Sequence, residues 1–136
     1  MAEEYEAIFY VGGHGAMYDF ADNEILASIA KTIWERGGIV SAVSHGPAGL
    51  LNVKLNDGSY LIDGKRVAAT PDDQESSADS FLLASALESH GAIHEGAPCG
   101  ESKVIVDGRL ITGQNTQSCV ELARAVVDTV ATVMIG

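Results

Sequence analysis

Two short apolar runs, AIFYV at 7–11 and IVSAV at 39–43, lie on either side of a stretch long enough for one helix, and this spacing restricts the fold more than any other feature. Each run is continuous rather than alternating, the pattern of a strand covered on both faces. Between them Asp22 or Asn23 stands ready to cap a helix in which Ile25, Ile29 and Ile33 recur at i, i+4 and i+8, with Leu26 beside them, until Gly37-Gly38 stops it. A strand, a crossover helix and a second strand joined by short loops require parallel strands and a right-handed connection.

The rest of the chain continues the alternation. Residues 60–62 and 66–68 flank Asp63-Gly64 and predict a hairpin, and residues 104–106 and 110–112 around Asp107-Gly108 predict a second. Helices are expected over 76–90, carrying Phe81, Leu82, Leu83 and Leu87, and over 117–134, carrying Val120, Leu122, Val126, Val127, Val130 and Val133. No repeat or low-complexity linker divides the 136 residues, so one domain spanning 1–136 is expected. The fold class is α/β: a flavodoxin-like sandwich with a mainly parallel sheet, in which 8–11 and 39–43 are neighbours.

Charge and composition exclude several partners. With 19 acidic against 8 basic residues the formal net charge is -11, which repels a phosphate backbone and argues against nucleic acid. No apolar run approaches the roughly 18 residues of a membrane span, and MAEEYEAIF lacks the basic and apolar regions of a secretory leader, so a cytoplasmic protein is expected. Cys99 and Cys119 sit in unrelated contexts with no metal-ligand spacing, and read as plain thiols. Trp34 reads as core or interface, and His90 and His94 as solvated histidines.

The chemistry concentrates where the second strand stops, at Ser44-His45-Gly46-Pro47. A strand that runs through a tight turn into a helix presents its turn residue at the carboxyl end of the sheet, where open α/β folds place ligands. That residue is Ser44, and the amide of His45 is placed to face an incoming carbonyl oxygen. Gly46 matches the second half of a nucleophile elbow, although Ala42 stands where that motif has its first glycine. Taken alone, Ser44 and His45 are also compatible with a purely structural turn.

Three ordered stretches, GGHG at 12–15, AVSHGPAGLLNVKLNDGSYLIDGKRV at 42–67 and VDGRLITGQN at 106–115, resemble the ThiJ/PfpI superfamily, and within it the branch of heat-shock chaperones and glyoxalase III enzymes. In that family the turn reads AVCHGP, with cysteine as nucleophile and the next histidine as its acid/base partner. The resemblance therefore implies Ser44 at the nucleophile position, His45 as proton shuttle, and Glu75 as the acidic residue that orients His45, with Asp72 or Asp73 as alternatives. It implies an oxyanion hole from Gly13 and the His45 amide, and a pocket that includes Gly12 and His14. His14 is equally compatible with a turn role, and Cys99, near the implied pocket rim, with an incidental thiol.

Two departures from the pattern follow. Ser44 replaces a thiol whose pKa of about 8.5 is easily lowered, whereas an alcohol needs a well-placed base to attack. Family members also carry several dozen residues before the strand ending in GGHG, including one sheet strand and a glutamate bonded to the nucleophile, while only residues 1–6 precede it here; Glu3, Glu4 and Glu6 read as a solvated start. The implied activity is a glyoxalase III-type lyase reaction, methylglyoxal to lactate in the manner of a D-lactate dehydratase, without glutathione, cofactor or metal. It is expected to be weak or absent in this chain, and a serine esterase or amidase is a variant of the same reading. The non-enzyme alternative is a stress-related, chaperone-like or interaction subunit, or an engineered Cys-to-Ser form. A short amino terminus would leave an apolar sheet edge, so a homodimer or a complementing polypeptide is expected.

Overall fold

The computed structural model describes residues 6–11, 19–71, 82–98 and 100–135. Strand β1 (Ala7–Tyr10) is followed by helix α1 (Glu24–Glu35) and strand β2 (Ile39–Val43). The two strands pair in parallel, Ala7 opposite Ile39 and Tyr10 opposite Ala42, as the sequence spacing requires. A 3-10 turn (Gly46–Leu50), β3 (Arg66–Val67), α2 (Leu83–Ser89), β4 (Ile93–His94), β5 (Val104–Asp107), β6 (Leu110–Gly113) and α3 (Cys119–Ile135) come next. Among the described residues the main sheet has the order β1-β2-β6-β5, parallel except at β5, and β3 pairs with β4 in a separate parallel ribbon.

β2 is central, and all five of its residues are buried, which is why its sequence shows no polar alternation. Its side chains still divide between two faces. Val40 and Ala42 join Ala27 and Ala30 of α1, Leu83 and Leu87 of α2, and Leu50, Ile62 and Val67 in one cluster. Ile39 and Val43 join Ile111 and Leu122 in a second, closed by Ala125, Val126 and Val130 of α3. Helices thus cover both faces, the layered arrangement expected of an α/β sandwich.

Helix α1 starts where the sequence indicates, with the Asn23 side chain accepting a hydrogen bond from Leu26 N–H at 3.0 Å. Its buried stripe is displaced from the expected one: Ala27, Ala30 and Ile33 face inward, while Ile25 is 75% exposed. The small alanines let the helix approach the sheet closely, and Ile25 in the first turn projects beyond it. The helix ends against the β5–β6 turn. Arg109 Nη1 donates to the carbonyls of Trp34 and Gly38, both at 2.7 Å, and its guanidinium lies 4.1 Å from the centre of the half-buried Trp34 ring. A cation satisfying the last carbonyls of a helix is electrostatically favourable there.

The two hairpin expectations diverge. Asp107-Gly108 does close a hairpin, with Asp107 opposite Leu110 and Gly108 at φ 62. Asp63-Gly64 does not: Gly64 takes a left-handed turn, but Tyr60 bridges back to Lys54, and Arg66–Val67 pairs in parallel with Ile93–His94. Gly64 N–H donates to the Gly91 carbonyl at 2.9 Å, so the turn serves a distant segment rather than its sequence neighbour. The helix expected over 76–90 is α2 over its described part, Leu83–Ser89; residues 72–81 lie outside the described residues.

The β3–β4 ribbon is tied to its surroundings by charge. Arg66 Nε donates to Glu95 Oε2 at 2.6 Å, and the Arg66 N–H donates to Asp107 Oδ2 at 2.8 Å. The hydrogen bond from Arg66 holds the Glu95 carboxyl below its ordinary pKa. A depressed folded-state pKa stabilises the fold above the unfolded value, about 4.3 for glutamate, and that contribution is lost as pH falls through the folded value. The stability difference between the unmodified chain and Glu95→Gln, measured by urea unfolding, is therefore expected to shrink as the pH is lowered below about 4. A difference that stays constant over the acid limb would show that this pair does not contribute through its charge.

Candidate functional site

Ser44 follows the last residue of β2 and has φ 59, the left-handed region that residues with a Cβ rarely occupy. It is the described non-glycine residue with this conformation. Its backbone is held on two sides: the N–H donates to the Gly113 carbonyl at 2.9 Å, extending the β2–β6 ladder, and its carbonyl accepts from Thr70 N–H at 3.1 Å. A strained residue fixed from both sides at a strand end is the backbone form of a nucleophile elbow. The Ser44 hydroxyl lies 3.3 Å from Thr70 Oγ1, and either oxygen can be the donor.

The turn after Ser44 packs unusually close to β1. A Cβ on Gly46 would overlap the Tyr10 carbonyl oxygen, and one on Gly49 would overlap the Tyr10 ring. Tyr10 itself is buried, its hydroxyl donating to the Leu26 carbonyl at 3.1 Å, and burial pushes its phenol pKa up. Glycine at 46 and 49 is thus required by the approach of strand and turn. The short helix that follows is a five-residue 3-10 turn, Gly46–Leu50. So short a turn has little aligned dipole to offer an anion.

Ser44 opens into a cavity of about 250 Å³ lined by His45, Thr70, Gly100, Gln114, Asn115, Thr116 and Gln117 as well as by Ser44 itself. Its described lining is hydroxyls, amides and one imidazole, with no carboxylate or ammonium group. Gln114 is 1% exposed and grips the Ala97 backbone, Nε2 donating to the carbonyl at 2.8 Å and Oε1 accepting from the N–H at 2.7 Å. Asn115 Nδ2 donates to the Glu101 carbonyl at 2.7 Å, and Ser118 Oγ accepts from Lys103 N–H at 2.9 Å while donating to Asn115 Oδ1 at 2.7 Å. These bonds fix the wall opposite the elbow.

Of the predicted site residues, the neighbours Ser44 and His45 both line this cavity. Gly12, Gly13, His14, Asp72, Asp73, Glu75 and Cys99 lie outside the described residues. Thr70 and Gln114 carry no sequence signal of their own, although Gln114 lies within the VDGRLITGQN stretch and Thr70 stands two residues before Asp72. His90 and His94 are half-buried rather than solvated: His90 stacks on Tyr60 with ring centres 4.2 Å apart, and His94 Nε2 lies 3.1 Å from the Ala69 carbonyl. Cys119 is an exposed thiol at the start of α3. Among the described residues no three His, Cys, Asp or Glu side chains converge as a metal site. A larger open depression of about 480 Å³ lies along the start of α1, lined by Asp22, Glu24, Ser28, Lys31, Asn52 and Lys54 among others.

The strain at Ser44 is measurable apart from its chemistry. Ser44→Gly and Ser44→Ala both remove the hydroxyl, but only alanine keeps the Cβ that the left-handed conformation disfavours, by about 1 kcal/mol. Ser44→Gly is expected to be the more stable of the two by that amount in denaturant unfolding. Equal stabilities would mean that the left-handed turn relaxes in solution.

Comparison with known proteins agrees with this geometry. The DJ-1/PfpI family profile matches residues 1–129. The chain is 34% identical to Glyoxalase 3 of Candida albicans over 91% of its own length and 57% of that protein. It is 36% identical to the glutathione-independent glyoxalase HSP31 of Saccharomyces cerevisiae over 93% of its length and 58% of that protein. The X-ray structure of the Rapid Encystment Protein 24 KDa of Francisella tularensis superposes with a TM-score of 0.92 at 35% identity, covering 96% of this chain and 60% of the other. The chain thus spans somewhat under two thirds of the proteins it matches. Sheet order, elbow and sequence match converge, and the chain belongs to the DJ-1/PfpI family, with a flavodoxin-like fold and glyoxalase III-like relatives.

Proposed function

We propose that this chain carries a glyoxalase III-type site for small carbonyl compounds such as methylglyoxal, with residue 44 as the attacking position and an activity limited by serine. The observation that carries the reading is the left-handed Ser44 at the end of β2, opening into a small cavity whose described lining is hydroxyls, amides and one imidazole. Such a lining offers hydrogen bonds to carbonyl and hydroxyl oxygens without fixing a charged group. The relatives named as glutathione-independent glyoxalases support the substrate class.

In this reading the residue-44 hydroxyl adds to the aldehyde carbon, its proton passing to His45. The aldehydic hydrogen then moves to the neighbouring carbon through an enediol, with His45 carrying the proton, and the product is a lactate ester of residue 44. Water cleaves the ester, so methylglyoxal and one water give lactate with no change in overall oxidation state. By resemblance to the family, the role of oxyanion donor falls to the N–H groups of Gly13 and His45, that of pocket residue to Gly12 and His14, and that of the orienting acid to Glu75. No glutathione, metal or cofactor enters the sequence of steps. General-base assistance contributes typically about a hundred- to ten-thousand-fold, and an alcohol depends on it more than a thiol does. The unmodified chain is therefore expected to form lactate from methylglyoxal slowly or not at all, and Ser44→Cys to form it faster. Robust turnover by the unmodified chain, abolished in Ser44→Ala, would make serine a competent nucleophile; no gain in Ser44→Cys would count against the glyoxalase reading.

A second reading, a non-catalytic chaperone-like or interaction subunit, is favoured by the exposed apolar surface at the sheet end. β1 is an end strand among the described residues, with Phe9 48% and Val11 62% exposed, and Val120 and Val127 of α3 are exposed as well. Apolar end strands invite pairing. We include a homodimer or a complementing polypeptide in the proposal, and a cytoplasmic location, which the acidic, disulfide-poor composition supports. Among the described residues no helix is long and apolar enough to cross a membrane. Light scattering at micromolar concentration is expected to give a dimer's mass, and a monodisperse monomer would remove the assembly from the proposal.

A further inference from the structure

Thr70 holds Ser44 at two points. Its backbone N–H donates to the Ser44 carbonyl at 3.1 Å, and its hydroxyl lies 3.3 Å from the Ser44 hydroxyl. The threonine is 8% exposed and lines the same cavity. Its position is fixed by the chain just before it, where Ala68 N–H donates to the buried Thr112 hydroxyl at 2.8 Å and ties the end of β3 to β6.

A spacing of 3.3 Å is long for a hydroxyl pair, which typically closes to about 2.7–2.8 Å, and either oxygen can donate while both are neutral. Once residue 44 carries negative charge it has no proton left to give, and Thr70 becomes the donor. Charge-assisted hydrogen bonds are shorter and about twice as strong as neutral ones. The contact is thus weak at rest and strengthens as charge develops, the kind of interaction that favours a transition state over a ground state.

We propose that the Thr70 hydroxyl is a positioning residue for the attacking group, donating a hydrogen bond to the anionic form of residue 44 and lowering its pKa. The proposal rests on the reading of residue 44 as the attacking position, but not on which carbonyl compound is attacked. It concerns an interaction within the protein, so it can be tested without turnover.

The test uses the full chain carrying Ser44→Cys together with Cys99→Ser and Cys119→Ser, so that the one remaining thiol, at residue 44, reports the local field. The rate of alkylation by iodoacetamide against pH gives the thiol pKa, and the same profile is recorded after adding Thr70→Val or Thr70→Ser. Valine preserves shape and the backbone N–H but removes the donor. Its profile is expected to move up by about one pH unit, slowing alkylation at neutral pH by up to about tenfold, because a hydrogen bond to the charged form is lost. Serine is expected to restore the Ser44→Cys profile. An unchanged profile in Thr70→Val, or equal shifts in the valine and serine variants, would overturn the proposal, the second by assigning the effect to packing. Circular dichroism establishes that each variant is folded; should valine fail, Thr70→Ala against Thr70→Ser decides the same question. Lactate formation by the Ser44→Cys chain is assayed separately: no gain in lactate over the unmodified chain with the alkylation shift intact sinks the glyoxalase reading alone, and a gain without the shift sinks this proposal alone.

Discussion

The contact on which the site depends is the close approach of the end of β1 to the turn after Ser44. The Tyr10 carbonyl sits where a Cβ of residue 46 would be, and the Tyr10 ring where a Cβ of residue 49 would be. Tyr10 is in turn fixed by its hydrogen bond to Leu26 and by Phe20, whose ring meets it edge-on at 5.6 Å. One aromatic side chain therefore joins strand, helix and elbow. A larger residue at either glycine would push the turn off the strand end, and overpacking of this kind costs typically about 1–3 kcal/mol.

That anchoring allows a locally unfavourable backbone to persist. A non-glycine residue in the left-handed region is penalised by about 1–2 kcal/mol. Against this stands the burial of Ile39, Val40 and Val43 in the strand just before it, each contributing about 1.5–3 kcal/mol relative to exposure. The central strand outweighs the strain, and the Gly113 and Thr70 backbone bonds prevent Ser44 from relaxing without giving up sheet hydrogen bonds. Strain is tolerated here because the sheet overdetermines the position of its last residue.

Much of this was legible because it is local. The pairing of 7–11 with 39–43 follows from two apolar runs and one helix between them, and the β5–β6 hairpin from Asp107-Gly108 between apolar triplets. The same dipeptide signal misleads at Asp63-Gly64, since a turn residue specifies a local bend and not the partner of the strand that follows. Arg66–Val67 pairs instead with Ile93–His94, a choice made by the distant segment it meets. Arg109 closing α1 across 71 residues to Gly38, and Thr70 meeting Ser44 across 26, leave no periodic trace for the same reason. Ser44 and His45 were legible as an elbow because a strand-ending turn has its own sequence pattern; the cavity wall opposite, built by Gln114 and Asn115, was not.

Geometry and reactivity are therefore separable in this site. The placement of residue 44 is fixed by backbone bonds, by glycines and by the Tyr10 contact, none of which involves the atom at the end of its side chain. Replacing sulfur with oxygen leaves all of these in place, and the hydroxyl gains in Thr70 a neighbour of its own kind. What it loses is intrinsic acidity, which no backbone contact supplies, because an alcohol is far harder to ionise than a thiol near 8.5. The described lining adds no ammonium or guanidinium group to compensate, so in the proposed mechanism proton removal would fall to the imidazole of His45. A fold can thus hold its elbow unchanged while the chemistry at its tip is set by one atom.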